Sequence, residues 1–235
     1  MSLSSAFKAF DKDDVSANDP FLKNTKGSIM LISGKKRTGK SSLALSMLSS
    51  PKIFKGYFGN IFLISPSKEE KTKSLREELD KDGKYFTELN QQNIDKILNY
   101  IKNEEMLKKV KEKKLGKRLP PIYNCIWLDD VVSDLPRSMK KNCITNLFYN
   151  HRHFSCSIIV TTQSYKQIAP NLRKQADMLY IFPMANKKEK EAIQEDWDIP
   201  DEIFDEAFDD ESDHPFLTVN IVSSKPTFFR KMERM

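Results

Sequence analysis

Glycine is scarce in this 235-residue chain, at 7, and histidine and cysteine number 3 each. So little glycine, with only 11 prolines, excludes collagen-like and low-complexity architectures. The cysteines, Cys125, Cys143 and Cys156, are odd in number and far apart, which excludes a disulfide framework. None of them pairs at zinc-site spacing with His151, His153 or His214, so the neighbouring His151 and His153 read as two half-exposed histidines. No apolar run approaches the roughly 18 residues of a membrane helix, so no membrane segment is expected. The N-terminus, MSLSSAFKAFDKDD, lacks both the apolar stretch of a signal peptide and the acid-poor character of a transit peptide. A soluble, non-secreted intracellular protein is expected.

What the chain does have is charge, at 31% of residues, over enough apolar content (39%) to form a core. The net charge of +6 conceals an uneven distribution. Between Glu189 and Asp213 stand thirteen acids and one lysine, a net of −12, so the other 210 residues carry +18. A body that basic attracts polyphosphate, and the acidic stretch must point elsewhere or screen it.

Apolar runs with breakers at their ends mark the strands. They are Ser28–Ser33 between Gly27 and Gly34, Asn60–Ser65 before Pro66, Asn124–Asp129, Ser157–Thr162 and Met178–Phe182. Helices are expected at Ser41–Ser50, around Ile94, Ile97, Leu98 and Ile101, and at Ile144–Tyr149. Phe216–Val222 and Thr227–Phe229 read as a terminal hairpin. The fold class is therefore α/β, a doubly wound, mostly parallel sheet with a C-terminal β-hairpin. The expected division is an N-terminal arm at 1–26, a core at 27–188, and an acidic segment and hairpin at 189–235 packed on the core. The acidic part is expected to be a short helical region that Ile193, Trp197, Ile203, Phe204 and Phe208 dock on the core edge or a capsid partner. A basic insert at about 102–118 holds eight basic and three acidic residues.

Gly34-Lys35-Lys36-Arg37-Thr38-Gly39-Lys40-Ser41 fits G-x-x-x-x-G-K-[ST] at every fixed position, between an expected strand and an expected helix, so the core is expected to be of the P-loop NTPase kind. Gly34 and Gly39 let successive backbone N–H groups turn inward around a phosphate. Lys40 can reach the β- and γ-phosphates, the Ser41 hydroxyl can hold Mg²⁺, and Ser42 continues the opening turn of a helix whose N-terminus favours anions. Such a site needs a carboxylate at a neighbouring strand tip. Asp129 supplies it for the metal, and Asp130 is placed to polarise an attacking water as general base. Gln163, at the polar end of another strand, can sense the γ-phosphate. An arginine reaching a neighbouring subunit's γ-phosphate would complete the charge site, with Arg152 the first candidate and Arg173 the second. A nucleotide or nucleoside kinase and a non-hydrolysing, nucleotide-gated assembly protein share the same loop and are the alternative readings.

The run from Phe148 through His151-Arg152-His153, Ile158-Ile159-Val160-Thr161-Thr162-Gln163 and Tyr165 to Pro170, with Asn60–Pro66, resembles the poxvirus-type DNA-packaging ATPases of the FtsK/HerA superfamily. The resemblance spans roughly Ser28 to Phe182. It implies an ATPase using ATP and Mg²⁺, working as a ring homo-oligomer (pentamer or hexamer) that threads double-stranded DNA into a preformed capsid at a vertex protein. It further implies a place in the virion or in the host-cell cytoplasm or viral factory. By position, Lys40 and Ser41 match the family's phosphate loop, Asp129 and Asp130 its acidic strand end, Gln163 its sensor and Arg152 the arginine before the sensor strand. DNA-gripping candidates are the lysines of 102–118, or Lys140 and Lys141.

Overall fold

In the computed structural model, residues 26–131, 143–184, 186–209, 214–222 and 225–234 are described. The expected arm up to residue 25 and the gripping candidates Lys140 and Lys141 lie outside them. The five central strands form where the sequence predicts them: β1 (Ile29–Ser33), β2 (Asn60–Ile64), β4 (Asn124–Asp129), β5 (Cys156–Thr162) and β6 (Met178–Ile181). A two-residue edge strand, β3 (Tyr85–Phe86), pairs in parallel with β2. Three C-terminal strands, β7 (Leu217–Asn220), β8 (Thr227–Arg230) and β9 (Glu233–Arg234), pair antiparallel beyond β6. The sheet has nine strands in the order β3-β2-β4-β5-β1-β6-β7-β8-β9. The terminal hairpin is thus a continuation of the main sheet rather than a separate layer.

Two helices and a set of five take the two faces, as parallel strands buried on both sides require. Alternation along each strand divides the side chains. Met30, Ile32, Leu63, Trp127, Ile159 and Tyr180 pack under α1 (Lys40–Ser49) and α2 (Lys73–Lys81). Leu31, Phe62, Ile126, Leu128, Val160 and Val219 face the other way. There they meet α3 (Gln91–Leu115), α4 (Cys143–Asn150), α5 (Pro170–Arg173), α6 (Lys187–Trp197) and α7 (Asp201–Phe208).

Two charged regions are helical, as the sequence allows. The basic run 102–115 is the second half of α3, which is capped by Asn90 accepting from the Asn93 N–H and ended by Gly116 in the left-handed region. The acidic stretch forms α6 and α7, docked by Ile193, Phe204 and Ala207, all essentially inaccessible to solvent.

Gly34 is required by close approach: a Cβ there would stand 2.5 Å from the Phe182 Cβ. The expected result of Gly34→Ala is a displaced loop and a melting temperature lower by several degrees, read by thermal unfolding, because overpacking a fixed backbone costs about 1–3 kcal/mol.

Candidate functional site

The register of β1, β5 and β4 brings the predicted residues to one level. Ser33 lies opposite Thr162, and Asp129 opposite Thr161, at the carboxyl ends of three adjacent parallel strands. In α/β sheets this end lines the ligand crevice. β5 is inserted between the strand that feeds the phosphate loop and the strand that ends in Asp129, so its own tip reaches between them.

Residues 34–39 curl over the end of β1. The Lys35 N–H donates to the Pro183 carbonyl (3.0 Å), which ties the loop to the strand beyond. Gly39, with φ at 103°, takes the left-handed turn before α1. Thr38 Oγ1 donates to the Lys35 carbonyl (2.9 Å), and Lys40 Nζ donates to the same oxygen (2.9 Å), so the ammonium sits inside the loop it serves. Lys35, Lys36, Arg37 and Ser42 are exposed around it. Burial pulls the Lys40 ammonium below the usual lysine value, while the Asp130 and Asp129 carboxylates hold it up.

Asp129 is the most heavily bonded group here. Its Oδ1 accepts from Ser41 Oγ (3.2 Å) and Thr161 Oγ1 (2.5 Å), and its Oδ2 from Ser65 Oγ (2.9 Å). The Thr161 hydroxyl accepts in turn from Trp127 Nε1 (3.2 Å), a buried relay that fixes its direction. Asp129 is 4% exposed, and hydroxyl donors rather than a cation orient it. Asp130 follows at the surface. Its φ of 55° turns the chain sharply, its N–H donates to the Thr161 carbonyl (2.9 Å), and its carboxylate accepts from Gln163 Nε2. Lys40, Ser41, Asp129, Asp130 and Gln163, scattered over more than a hundred residues of sequence, thus share one crevice.

The two arginines do not enter it. Arg152 precedes β5, at the opposite end of that strand, and pairs with Asp177 (3.0 Å) with its side chain 57% exposed. Seven strand residues separate it from the crevice, or about 20 Å. Arg173 is buried within its own subunit, ion-paired to Asp196 (3.0 Å) and stacked 4.6 Å from the Tyr165 ring centroid. Tyr165 donates to Asp196 (3.0 Å) and accepts from Trp197 Nε1 (2.6 Å), so this cluster fastens α6 to the segment after β5. Glu189, also buried, adds a second fastening by accepting from Ser164 Oγ (2.7 Å) and the Lys166 N–H (3.1 Å). For Arg173→Met the expected loss is about 3 kcal/mol, since the Asp196 carboxylate, 10% exposed, keeps the Tyr165 hydroxyl but loses its counter-charge. Thermal melting would read it as a midpoint lower by roughly 6–12 °C.

His151 differs from its expectation. It is 6% exposed, and its Nδ1 donates to the Phe148 carbonyl (2.7 Å), because the turn after α4 folds it under β5. Burial lowers its pKa. Of this pair, His153 is the one that stays exposed. Sequence reasoning also missed Ser65, Thr161 and Glu189, whose partners lie 64, 32 and 25 residues away. It missed His214 as well, whose ring would stand 3.5 Å from a Cβ at Gly39. A serine closing an apolar strand, as Ser65 does, was the one available signal.

The acceptor set suits a hard divalent cation such as Mg²⁺. Ser41 and Asp129 offer oxygens only, and among the described residues no cluster of three or more His, Cys, Asp or Glu could cage a metal. Mg²⁺ is usually held by one or two carboxylates together with substrate phosphates.

This geometry has counterparts among solved structures. B204, the DNA-packaging ATPase from Sulfolobus turreted icosahedral virus, superposes with a TM-score of 0.60 at 20% identity, covering 87% of this chain and 97% of that one. The genome packaging NTPase B204 from Sulfolobus turreted icosahedral virus 2, in complex with AMP, gives the same TM-score at 18% identity, covering 87% and 97%. The cytoplasmic domain of EssC gives 0.52 at 14% identity, covering 88% of this chain and 41% of that one. These likenesses establish the P-loop NTPase fold that the sequence resemblance implies. No curated protein sequence matches. The family model for zonular occludens toxin (Zot) matches residues 28–193, which hold the phosphate loop, the acidic strand end and the β5 tip, and the chain belongs to the Zot family.

Proposed function

We propose that this chain is an ATPase that drives double-stranded DNA into a preformed viral capsid, hydrolysing ATP at the interfaces of a ring of identical subunits. The convergence of Lys40, Ser41, Asp129, Asp130 and Gln163 at the carboxyl ends of β1, β4 and β5 carries the reading. Its fold is that of B204, a DNA-packaging ATPase.

The loop N–H groups and the α1 N-terminus receive the β- and γ-phosphates, and Lys40 neutralises charge building on the bridging and terminal oxygens. Ser41 and Asp129 would hold Mg²⁺, which supplies charge neutralisation across the two phosphates when bound. Asp130 accepts the proton of the attacking water, and the Gln163 amide donated to its carboxylate fixes the direction of that carboxylate. A change in γ-phosphate state then alters the Gln163–Asp130 pairing. Ser164, Tyr165 and Lys166 carry that change to α6 through Glu189 and Asp196. Arg152, exposed and on the far side of the subunit, is the residue that can face a neighbour's nucleotide, whereas Arg173 is committed internally. DNA is gripped through phosphates by basic side chains without reading sequence. A vertex protein of the capsid is the expected docking partner, in the virion or the viral factory.

ATP hydrolysis measured with and without long double-stranded DNA, and with added nucleosides as acceptors, tests the reading. Turnover stimulated by DNA is expected. Turnover indifferent to DNA and raised by a nucleoside would assign the site to a kinase instead.

A further inference from the structure

α3 buries apolar side chains only over its first half; beyond it, Lys102 lies over the Phe154 ring (5.9 Å) and Glu112 accepts from the Leu119 N–H (2.8 Å). Ile94, Ile97, Leu98 and Ile101 are buried, and beyond Ile101 no residue of the helix is. The remaining fourteen residues extend about 20 Å. They display Met106 (62% exposed), Leu107 (55%) and Val110 (46%) on an unpartnered face. Lys109, Lys111, Lys113 and Lys114 flank this apolar stripe, exposed and without a carboxylate partner among the described residues. Beneath the helix runs a groove of about 640 Å³, with Lys102, Met106, Lys109, Ile122, His153 and Phe154 among its walls.

On the same face of the sheet, α7 packs on β7 and β8 and presents the opposite character. Glu202, Glu206 and Asp209 recur at i, i+4 and i+7, so they form one exposed carboxylate stripe. Lys190 pairs with Asp201 and Asp205, and Arg230 donates to the Glu206 and Asp209 backbone carbonyls, so among the described residues no cation pairs with the three carboxylates of the stripe themselves. Half-buried Ile203 and Phe208 lie beside it. α3 lies over β2, where Tyr100 meets Phe62 edge to face, and six strand spacings separate β2 from β8. At about 4.8 Å each, that is nearly 30 Å. The two surfaces therefore cannot meet within one subunit.

We infer that the free half of α3 docks on the α7 stripe of a second copy of this chain, and that this head-to-tail contact builds the ring. Complementary patches on opposite edges of one sheet face generate a heterologous interface, which closes into a ring when the rotation allows. The apolar stripe of α3 covers Ile203 and Phe208, and the lysines and carboxylates set orientation and exclude like edges. The inference rests on the ring in the proposed function, and it assigns the 102–115 lysines to the neighbouring subunit rather than to DNA.

The test uses full-length protein with a non-hydrolysable ATP analogue, its mass followed by light scattering and its DNA affinity measured in parallel. Wild type is expected to form a multimer of the 27.3 kDa chain. The triple change Lys109→Glu, Lys113→Glu, Lys114→Glu and the triple change Glu202→Lys, Glu206→Lys, Asp209→Lys should each shift the assembly midpoint at least about tenfold toward monomer. Mixing the two variants should restore an interface through reversed charges, which mere misfolding would not do. If the α3 variant stays multimeric and loses DNA binding instead, the lysines grip DNA and the inference is overturned. If both variants assemble like wild type, or mixing restores nothing, it is overturned too. A monomeric wild type would also overturn it, and analogue binding by that monomer would leave the nucleotide-site reading standing.

Discussion

Lys40→Ala is expected to lower ATP turnover at least about a hundredfold, because it removes a preorganised charge aimed at the oxygens where negative charge develops. Lys40 is 8% exposed, and its ammonium is held inside the loop by the Lys35 carbonyl. The substitution also removes a positive charge that faces the Asp130 and Asp129 carboxylates. Nucleotide affinity should fall with turnover, since the same ammonium meets phosphates in the ground state. The fold should not change, because Ala44, Met47 and Leu48 supply the core contacts of α1. Steady-state hydrolysis beside a fluorescent-nucleotide titration measures both. Unchanged turnover would remove the phosphate loop from the reaction.

Asp130→Asn should produce a different pattern. The side chain keeps its shape at a φ of 55°, a conformation asparagine also tolerates, so the chain turn survives. What is lost is the acceptor for the water proton, for which a factor of about 10²–10⁴ in kcat is expected, with nucleotide binding retained. Asp129→Asn is predicted to weaken binding as well, since Asp129 orients Ser41. The contrast tests the proposed division between the two adjacent carboxylates, one positioning and the other reacting. Equal losses of kcat and affinity in both variants would contradict that division.

Much of the site is legible in the sequence because its parts are local. A phosphate loop needs two glycines, a lysine and a serine within eight residues, and β1 and α1 around it announce themselves by apolar runs and breakers. Asp129 and Asp130 close an apolar strand in the same way. The supporting bonds are not local. Ser65 and Thr161 reach Asp129 only because β2, β4 and β5 lie side by side, an order that no single segment encodes. Nor does the pattern reveal β3 or α2. β3 offers two residues, and α2 buries Leu79 alone, so neither carries a periodicity long enough to read. The acidic stretch is legible as helix from Ile193, Trp197, Ile203, Phe204 and Phe208, but its polar fastenings are not, since Glu189 and Asp196 meet partners on the segment after β5 that only the fold brings near. Arg173 misleads for that reason, since a guanidinium after a sensor strand looks free until its partner 23 positions on folds over it.

The central claim is that hydrolysis at this crevice moves DNA, and displacement of a triplex-forming oligonucleotide from a linear duplex tests it most directly. The account predicts ATP-dependent displacement by the wild-type protein and none by Lys40→Ala, with DNA raising hydrolysis in the same samples. Hydrolysis that is indifferent to DNA, with the oligonucleotide left in place, would contradict it.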